Sequence, residues 1–414
     1  MNTLLKSPSP FDLNSVRAHF PGLAQPTIFF DNAGGSQTLA KVAHRISDYL
    51  LNSNVQLGAS YAASKSASER VAQGVGAVGS LFGKVDEHEI VLGSSTTQLI
   101  FNLAAALAPT LKEGDELIVS NVDHEANIGA WRRLSARGIV VKEWQVNRDT
   151  YALEPESLEL LLGPRTKWVA VTHCSNLIGT IHNISEMAKR VHARGARLFV
   201  DGVAFAPHAP VDVHALGVDG YVFSLYKVYG PHLVAMWLRR DLIDEVACIN
   251  HDFLAHHVPY KLQPGGANYE LTWGSGAIAE YLDEMGAALD SHSPRSAAWA
   301  AIAAQEQALC ERFLSFLRNR PGVKIIGSPD SDRNHRVPTI SFVVSKLRSS
   351  EVPPLVDPYG IGIRFGDFYA RHLVDALDLR QKEGVVRVSM VHYNSIEEVD
   401  KLIEVLDRVL PSGA

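Results

Sequence analysis

Asp201 and Lys227 close two consecutive apolar segments, "RLFVDG" and "YVFSLYKVYGPH". Ligands of open α/β sheets gather at the carboxyl ends of such strands. A lysine partly desolvated there has a lowered pKa, which favours imine formation with a carbonyl compound. A carboxylate facing a pyridine ring can keep the ring nitrogen protonated and turn the ring into an electron sink. The same two residues read equally well as an aspartate capping its next turn and a surface lysine.

Other groupings point less far. Gly74, Gly76 and Gly79 satisfy G-x-G-x-x-G, yet the preceding "SASERVAQ" is polar and helical. A dinucleotide fingerprint follows a strand, so these glycines are read as easing helix packing. His251, His256 and His257 cluster without a metal-site spacing and are read as a solvated loop, with no metal. Cys174, Cys248 and Cys310 are widely spaced and form no CxxC pair, which fits a reducing compartment and neither a disulfide framework nor a zinc site.

The elements that must carry these residues follow from the pattern of apolar runs. Short Val/Ile/Leu-rich segments such as "EIVLG", "ELIVS", "IVVKEWQV", "KWVAVTH", "RLFVDG" and "YVFSLYK" alternate with amphipathic stretches such as "TTQLIFNLAAAL" and "ISEMAKRVHARG". This predicts a largely parallel sheet covered on both faces. From about Ala297 the texture changes to a long Ala-rich helix, then "VKIIG", "TISFVV", "GIGIRFG" and "VVRVSMVHYN", then a last helix opened by the capping box Ser395 and Glu398. The expected division is an N-terminal segment over 1–20, a large α/β domain over 21–290, and a small α+β domain over 291–414.

Of 414 residues, 46% are hydrophobic and 20% charged, ordinary for a globular chain with a sizeable core. A formal charge of -6 gives no general attraction to nucleic acid or an anionic membrane. No apolar run approaches the roughly 18 residues of a membrane helix, and Met1–Pro10 lacks a signal pattern. The expectation is a soluble, cytoplasmic protein.

A series of segments in order resembles the class V aminotransferase superfamily, most closely its cysteine desulfurase-like branch, from about Phe11 to Val409. "FFDNAGGSQ" resembles the family's opening strand and turn, and "GSSTTQLIFNLA" its phosphate loop. "VDHEANIGAW" resembles the ring-stacking histidine segment and "THCSNLIGTI" the cofactor-hydroxyl segment. "VDGVAFAPHAPVDVHALGVDGYVFSLYKVYGPH" resembles the Asp-to-Lys core, while "QPGGANYE" and "GVVRVSMVHYNSIEEVD" resemble substrate-side segments.

The resemblance implies pyridoxal 5'-phosphate and PLP-dependent transferase fold type I. Lys227 would form the Schiff base and shuttle the Cα proton, and Asp201 would pair the pyridinium nitrogen. His124 would lie over the ring, and Asn176 would bond the 3′ oxygen. Thr96, Thr97 and Ser224 would hold the phosphate, for which a helix N-terminus is suited; ordinary N-capping is the alternative for the two threonines. Arg387 would grip the substrate carboxylate bidentately, with Arg364 and Asn32 beside it; a buried structural ion pair is the alternative for Arg364. A homodimer is implied, its active site at the interface, with Asn268 contributing across it.

Three departures qualify this. The desulfurases' mobile-loop cysteine is absent from "IRFGDFYARHL", where Tyr369 stands near its place. Ala204 replaces a polar residue near the 3′ oxygen, and Tyr226 replaces a phosphate-binding histidine. The expected function is a PLP-dependent enzyme acting on a small amino acid through an external aldimine and Cα deprotonation. C–S or β-elimination is preferred over aminotransfer, persulfide activity is doubtful, and a non-catalytic scaffold is the reading from another class.

Overall fold

The computed structural model describes residues 10–411. Residues 1–9 of the expected N-terminal segment and 412–414 of the C-terminal domain lie outside that range.

A two-residue strand, β1 (Ile28–Phe29), precedes seven strands that share one sheet: β2 (Ile90–Gly93), β3 (Glu116–Ser120), β4 (Val140–Trp144), β5 (Thr166–Thr172), β6 (Arg197–Asp201), β7 (Gly220–Ser224) and β8 (Val234–Leu238). Their spatial order is β2-β8-β7-β6-β5-β3-β4, and only β8 runs against the rest. Side chains alternate across a strand, so Leu198 and Val200 enter one core while Phe199 enters another on the opposite face. Val169 and Val171 likewise lie opposite Trp168 and Ala170. Burial on both faces is why these strands read as unbroken apolar runs. The parallel strands β3, β5, β6 and β7 end in Ser120, Thr172, Asp201 and Ser224, which places polar side chains along one edge of an apolar sheet.

The C-terminal strands are β9 (Val323–Ile326), β10 (Thr339–Val344), β11 (Ile361–Gly362), β12 (Arg364–Gly366) and β13 (Val385–Ser389). Four of them form an antiparallel sheet in the order β12-β13-β10-β9. Helices Pro294–Asn319 and Ile396–Val409 contribute to a third core over this sheet. The capping box of the last helix is formed: the Glu398 amide donates to Ser395 Oγ and the Ser395 amide to Glu398 Oε2, both at 3.1 Å.

"GIGIRFG" is divided between two partners. β11 pairs in parallel with β1, whereas β12 pairs with β13 and sets Arg364 opposite Arg387. Phe30, just after β1, is buried in the C-terminal core. The N-terminal strand therefore joins the small sheet's layer across the expected domain boundary.

Gly74, Gly76 and Gly79 lie in helix Ala62–Gly79, which packs on helix Tyr269–Ala287. A Cβ on Gly74 would stand 2.4 Å from the Thr272 carbonyl oxygen. The glycine lets two helix backbones meet, and no strand leads into it.

Candidate active site

The polar edge of the large sheet is where the chemistry collects. Asp201, at the end of β6, is buried, and its Oδ1 accepts a hydrogen bond from the Val203 amide at 2.9 Å. Its other carboxylate oxygen has no hydrogen-bond partner among the described residues. Burial raises the carboxyl pKa, opposed by that amide and by the charge of Lys227.

β7 ends at Ser224 and passes into a single tight turn, Leu225–Lys227. The Val228 and Gly230 amides both donate to the Leu225 carbonyl, at 2.8 and 2.9 Å, and lock that turn. Gly230 lets the chain pass close: a Cβ there would stand 2.6 Å from Ile278 Cδ1 and 3.0 Å from the Leu225 carbonyl oxygen. Lys227 is thus presented on a rigid turn, 8% exposed, and its Nζ has no hydrogen-bond acceptor among the described residues. Desolvation lowers its pKa, assisted by Arg387 and opposed by Asp201 and Asp31.

Helix Thr96–Leu107 begins beside this turn, capped by Ser95, whose Oγ accepts from the Gln98 amide at 3.1 Å. Thr96 Oγ1 and Ser224 Oγ are 2.7 Å apart, so two hydroxyls converge at the helix's positive end. The segment after β3 carries His124, whose Nδ1 accepts from the Ala126 amide at 3.0 Å. That bond leaves the neutral ring's proton on Nε2. Burial brings the His124 pKa down to about 4, so the ring is neutral at physiological pH.

Asn176 follows β5. Its Nδ2 donates to the Phe368 carbonyl at 2.8 Å, using one of two amide hydrogens, and its Oδ1 is buried without a partner among the described residues. Thr96, Thr97, His124, Asn176, Asp201, Ser224 and Lys227, picked from the sequence, all line one cavity. Ala204 and Tyr226, the two cofactor-side departures, line it as well.

The substrate-side residues divide. Arg387, on β13, is buried behind Asn176: its Nη1 donates to the Asn176 carbonyl at 2.9 Å. Desolvation brings its pKa down to about 10, against the opposing effect of Asp31. Arg364 is largely exposed and pairs with Asp31 at 3.3 Å, an ion pair at the surface and not the buried one that was its alternative reading.

Asn32, expected beside the substrate, is corrected: its side chain is a joint, not a ligand. Nδ2 donates to the carbonyls of Phe29 and Ser389, both at 2.9 Å, and to Asn394 Oδ1 at 3.1 Å, while Oδ1 accepts from the Tyr393 hydroxyl. Every hydrogen-bonding group of that buried amide is committed within the protein. Asn268 lies outside the Lys227 cavity of its own chain; it lines a neighbouring one and caps helix Tyr269–Ala287 through the Leu271 amide at 2.9 Å.

Residues not expected from the sequence to bind cofactor or substrate also build the site. Asp31 bridges the two arginines, and Phe368 covers Arg387 with its ring centroid 3.6 Å from the guanidinium carbon. Tyr369 sets its ring 5.2 Å from that of His124, and its carbonyl accepts from the Glu125 amide at 2.8 Å. Phe368 and Tyr369 both have positive φ, which turns this loop sharply onto the cavity. Cys174 lines the cavity too, but its thiol donates to the Gly179 carbonyl and burial pushes its pKa far up, so it is no thiolate nucleophile.

The arrangement suits pyridoxal phosphate. A buried amine without an acceptor awaits a carbonyl carbon, and a carboxylate with an unengaged oxygen shares its cavity. Paired hydroxyls at a helix N-terminus suit a dianion, and the Asn176 amide, with one hydrogen unused, suits a ring oxygen that accepts.

Comparison with known proteins agrees. A model of the family described as Aminotransferase class-V matches residues 28–402. The chain is 42% identical to "Aminotransferase-like protein FGM3" of Gibberella zeae, covering 98% of this chain and 100% of that one. It is 35% identical to "Cysteine desulfurase-like protein ustD" of Aspergillus flavus, covering 96% and 91%. Among solved structures, the apo cysteine desulfurase of Thermococcus onnurineus NA1 superposes with a TM-score of 0.86 at 24% identity, over 96% of this chain and 98% of that one.

Proposed function

The chain belongs to the Aminotransferase class-V family of pyridoxal-phosphate enzymes, and on that premise we propose that Lys227 removes the Cα proton of a small amino acid so that a β-substituent is expelled. The fold is fold type I of PLP-dependent enzymes, as the sequence led us to expect. Residues 21–290 and 291–414 serve in this reading as large and small domains, with β1 lent to the small sheet.

Bound in the cavity, pyridoxal phosphate supplies an electron sink conjugated with the substrate's Cα. Thr96, Thr97 and Ser224 hold its phosphate. Asp201 keeps the ring nitrogen protonated; the charge this creates offsets the cost of burying an ionised carboxylate. His124, neutral, covers the ring face, and Asn176 donates its second amide hydrogen to the ring oxygen. Arg387 binds the substrate carboxylate. Lys227 Nζ, short of acceptors and with a lowered pKa, takes the Cα proton; the Cβ–X bond then breaks and X leaves with its electron pair.

The observation that carries this reading is the buried, acceptor-free Lys227 in one cavity with Asp201. Elimination is favoured over persulfide formation because Tyr369 stands on the loop over His124 and none of the three cysteines lies there. Aminotransfer is the second reading, supported by the likeness to the aminotransferase-like protein of Gibberella zeae. As in the resemblance, we propose a homodimer in which Asn268 serves the neighbouring subunit's site. Among the described residues no helix is long and apolar enough to cross a membrane; a cytoplasmic location is part of the proposal.

Product analysis tests the chemistry. Incubating the PLP-loaded protein with β-substituted alanines should release ammonia and pyruvate in equal amounts together with the free substituent. Conversion of the cofactor to its amine form with an oxo acid, and no free ammonia, would instead establish aminotransfer.

A further inference from the structure

The nitrogens of Arg387 are not equivalent. Nη1 donates to the Asn176 carbonyl and Nη2 to Asp31 Oδ1, each at 2.9 Å, while Nε is buried with no partner among the described residues. The guanidinium's flat face is covered by Phe368. Asp31 is itself held firmly: Oδ2 accepts from Arg364 at 3.3 Å, and a parallel bridge ties its backbone to Ser389, whose amide donates to the Phe30 carbonyl at 2.7 Å. An arginine carries five N–H groups, and its Nε edge presents two parallel donors that match a carboxylate. Protein atoms take Nη1 and Nη2 and leave the Nε edge unmet.

Resting on the proposed amino-acid chemistry, we infer that Asp31 is a positioning residue for recognition of the substrate carboxylate. It holds the Arg387 fork at Nη2, so that the carboxylate docks on Nε and the remaining Nη2 hydrogen without displacing Asp31. Arg364 acts through Asp31 by holding its other oxygen. Asp31 also supplies the counter-charge that keeps a fully buried guanidinium ionised. The other charged or titratable groups acting on Arg387 or Asp31 are Arg364, Lys227 and His124, with Asp201 acting on Lys227 in turn.

The experiment compares the PLP-loaded wild type with Asp31→Ala, Asp31→Asn and Asp31→Glu. The readouts are the dissociation constant of a slow amino-acid ligand such as alanine, followed by the cofactor's absorption band, and KM and kcat across pH. Asp31→Ala and Asp31→Asn should weaken alanine and raise KM by about 10-fold or more, the loss expected for a charge-assisted contact, with kcat changed far less. The alkaline limb of KM should move to lower pH, because Arg387 then loses its proton more easily, and Asp31→Glu should recover part of the loss. The near-isosteric Asp31→Asn keeps the test readable should the alanine variant fail to fold. Variants that keep the absorption band but leave KM, alanine binding and the alkaline limb unchanged overturn this inference alone. So does a fall confined to kcat. A wild type without an imine band overturns the cofactor reading, and this inference with it.

Discussion

Lys227 and Asp123 are both buried ionisable groups, but the protein treats them differently. Lys227 has no hydrogen-bond acceptor among the described residues, which leaves its amine to react; Lys227→Ala should abolish the imine band and cut turnover by at least the 10²–10⁴-fold typical of losing a general base. Asp123 is fully enclosed, taking bonds from Ser120 Oγ and from Asn127 Nδ2, yet burial still pushes its pKa up to about 8. Between the ordinary carboxylate range and about 8, the folded chain keeps a proton that the unfolded chain has released. Stability from this group therefore falls as pH rises through that window, by on the order of 1.4 kcal/mol per pH unit. Asp123→Asn removes that slope, so urea midpoints of variant and wild type should diverge in the variant's favour from about pH 5 to about pH 8. A constant difference between the two would contradict this assignment. Asp31 and Phe368 show what residue types alone do not disclose. Nothing local marks Asp31 as a partner of Arg387, since the pairing depends on β1 joining a strand more than three hundred positions away.

Helices and strands deliver the site through a few close approaches. At Gly74 the helix Ala62–Gly79 touches the backbone at Thr272 so closely that Gly74→Ala must push two helices apart. That overpacking should cost roughly 1–3 kcal/mol, read as a lowered denaturant midpoint; an unchanged midpoint would mean the helices can slide. At the N-terminus of helix Thr96–Leu107, Thr96→Val keeps the shape and removes the hydroxyl bonded to Ser224. PLP should then dissociate more readily, while pyridoxal without the phosphate should bind as in the wild type; equal losses for both ligands would argue against a phosphate role. Elements of this kind were legible in the sequence, because β3, β5, β6 and β7 are apolar on both faces and end in polar residues. The division of "GIGIRFG" between two sheets was not, since so short a stretch carries no signal of which partner each half meets. Asn32 misled for a related reason: a polar residue at a strand end looks the same whether it faces a ligand or knits two segments together.

Over the whole molecule, the large sheet offers one reactive edge and the C-terminal sheet brings Arg387 to it, so the site depends on the two halves keeping their register. Asn268 sits outside its own chain's cavity, and the segment before it exposes Phe253 and Tyr260. An apolar surface beside a displaced site residue fits a second subunit, and light scattering should give twice the chain mass, whereas a monomer with full activity would refute the shared site. Order of motifs made the cofactor legible, while the loop contacts of Phe368 with Arg387 and of Tyr369 with His124 are encoded by no short motif. The central claim is that pyridoxal phosphate is held as an imine on Lys227, and borohydride reduction of the loaded enzyme followed by peptide mass mapping tests it most directly. The account predicts a pyridoxyl group on the peptide containing Lys227 and on no other; its appearance on a different lysine, or on none, would contradict it.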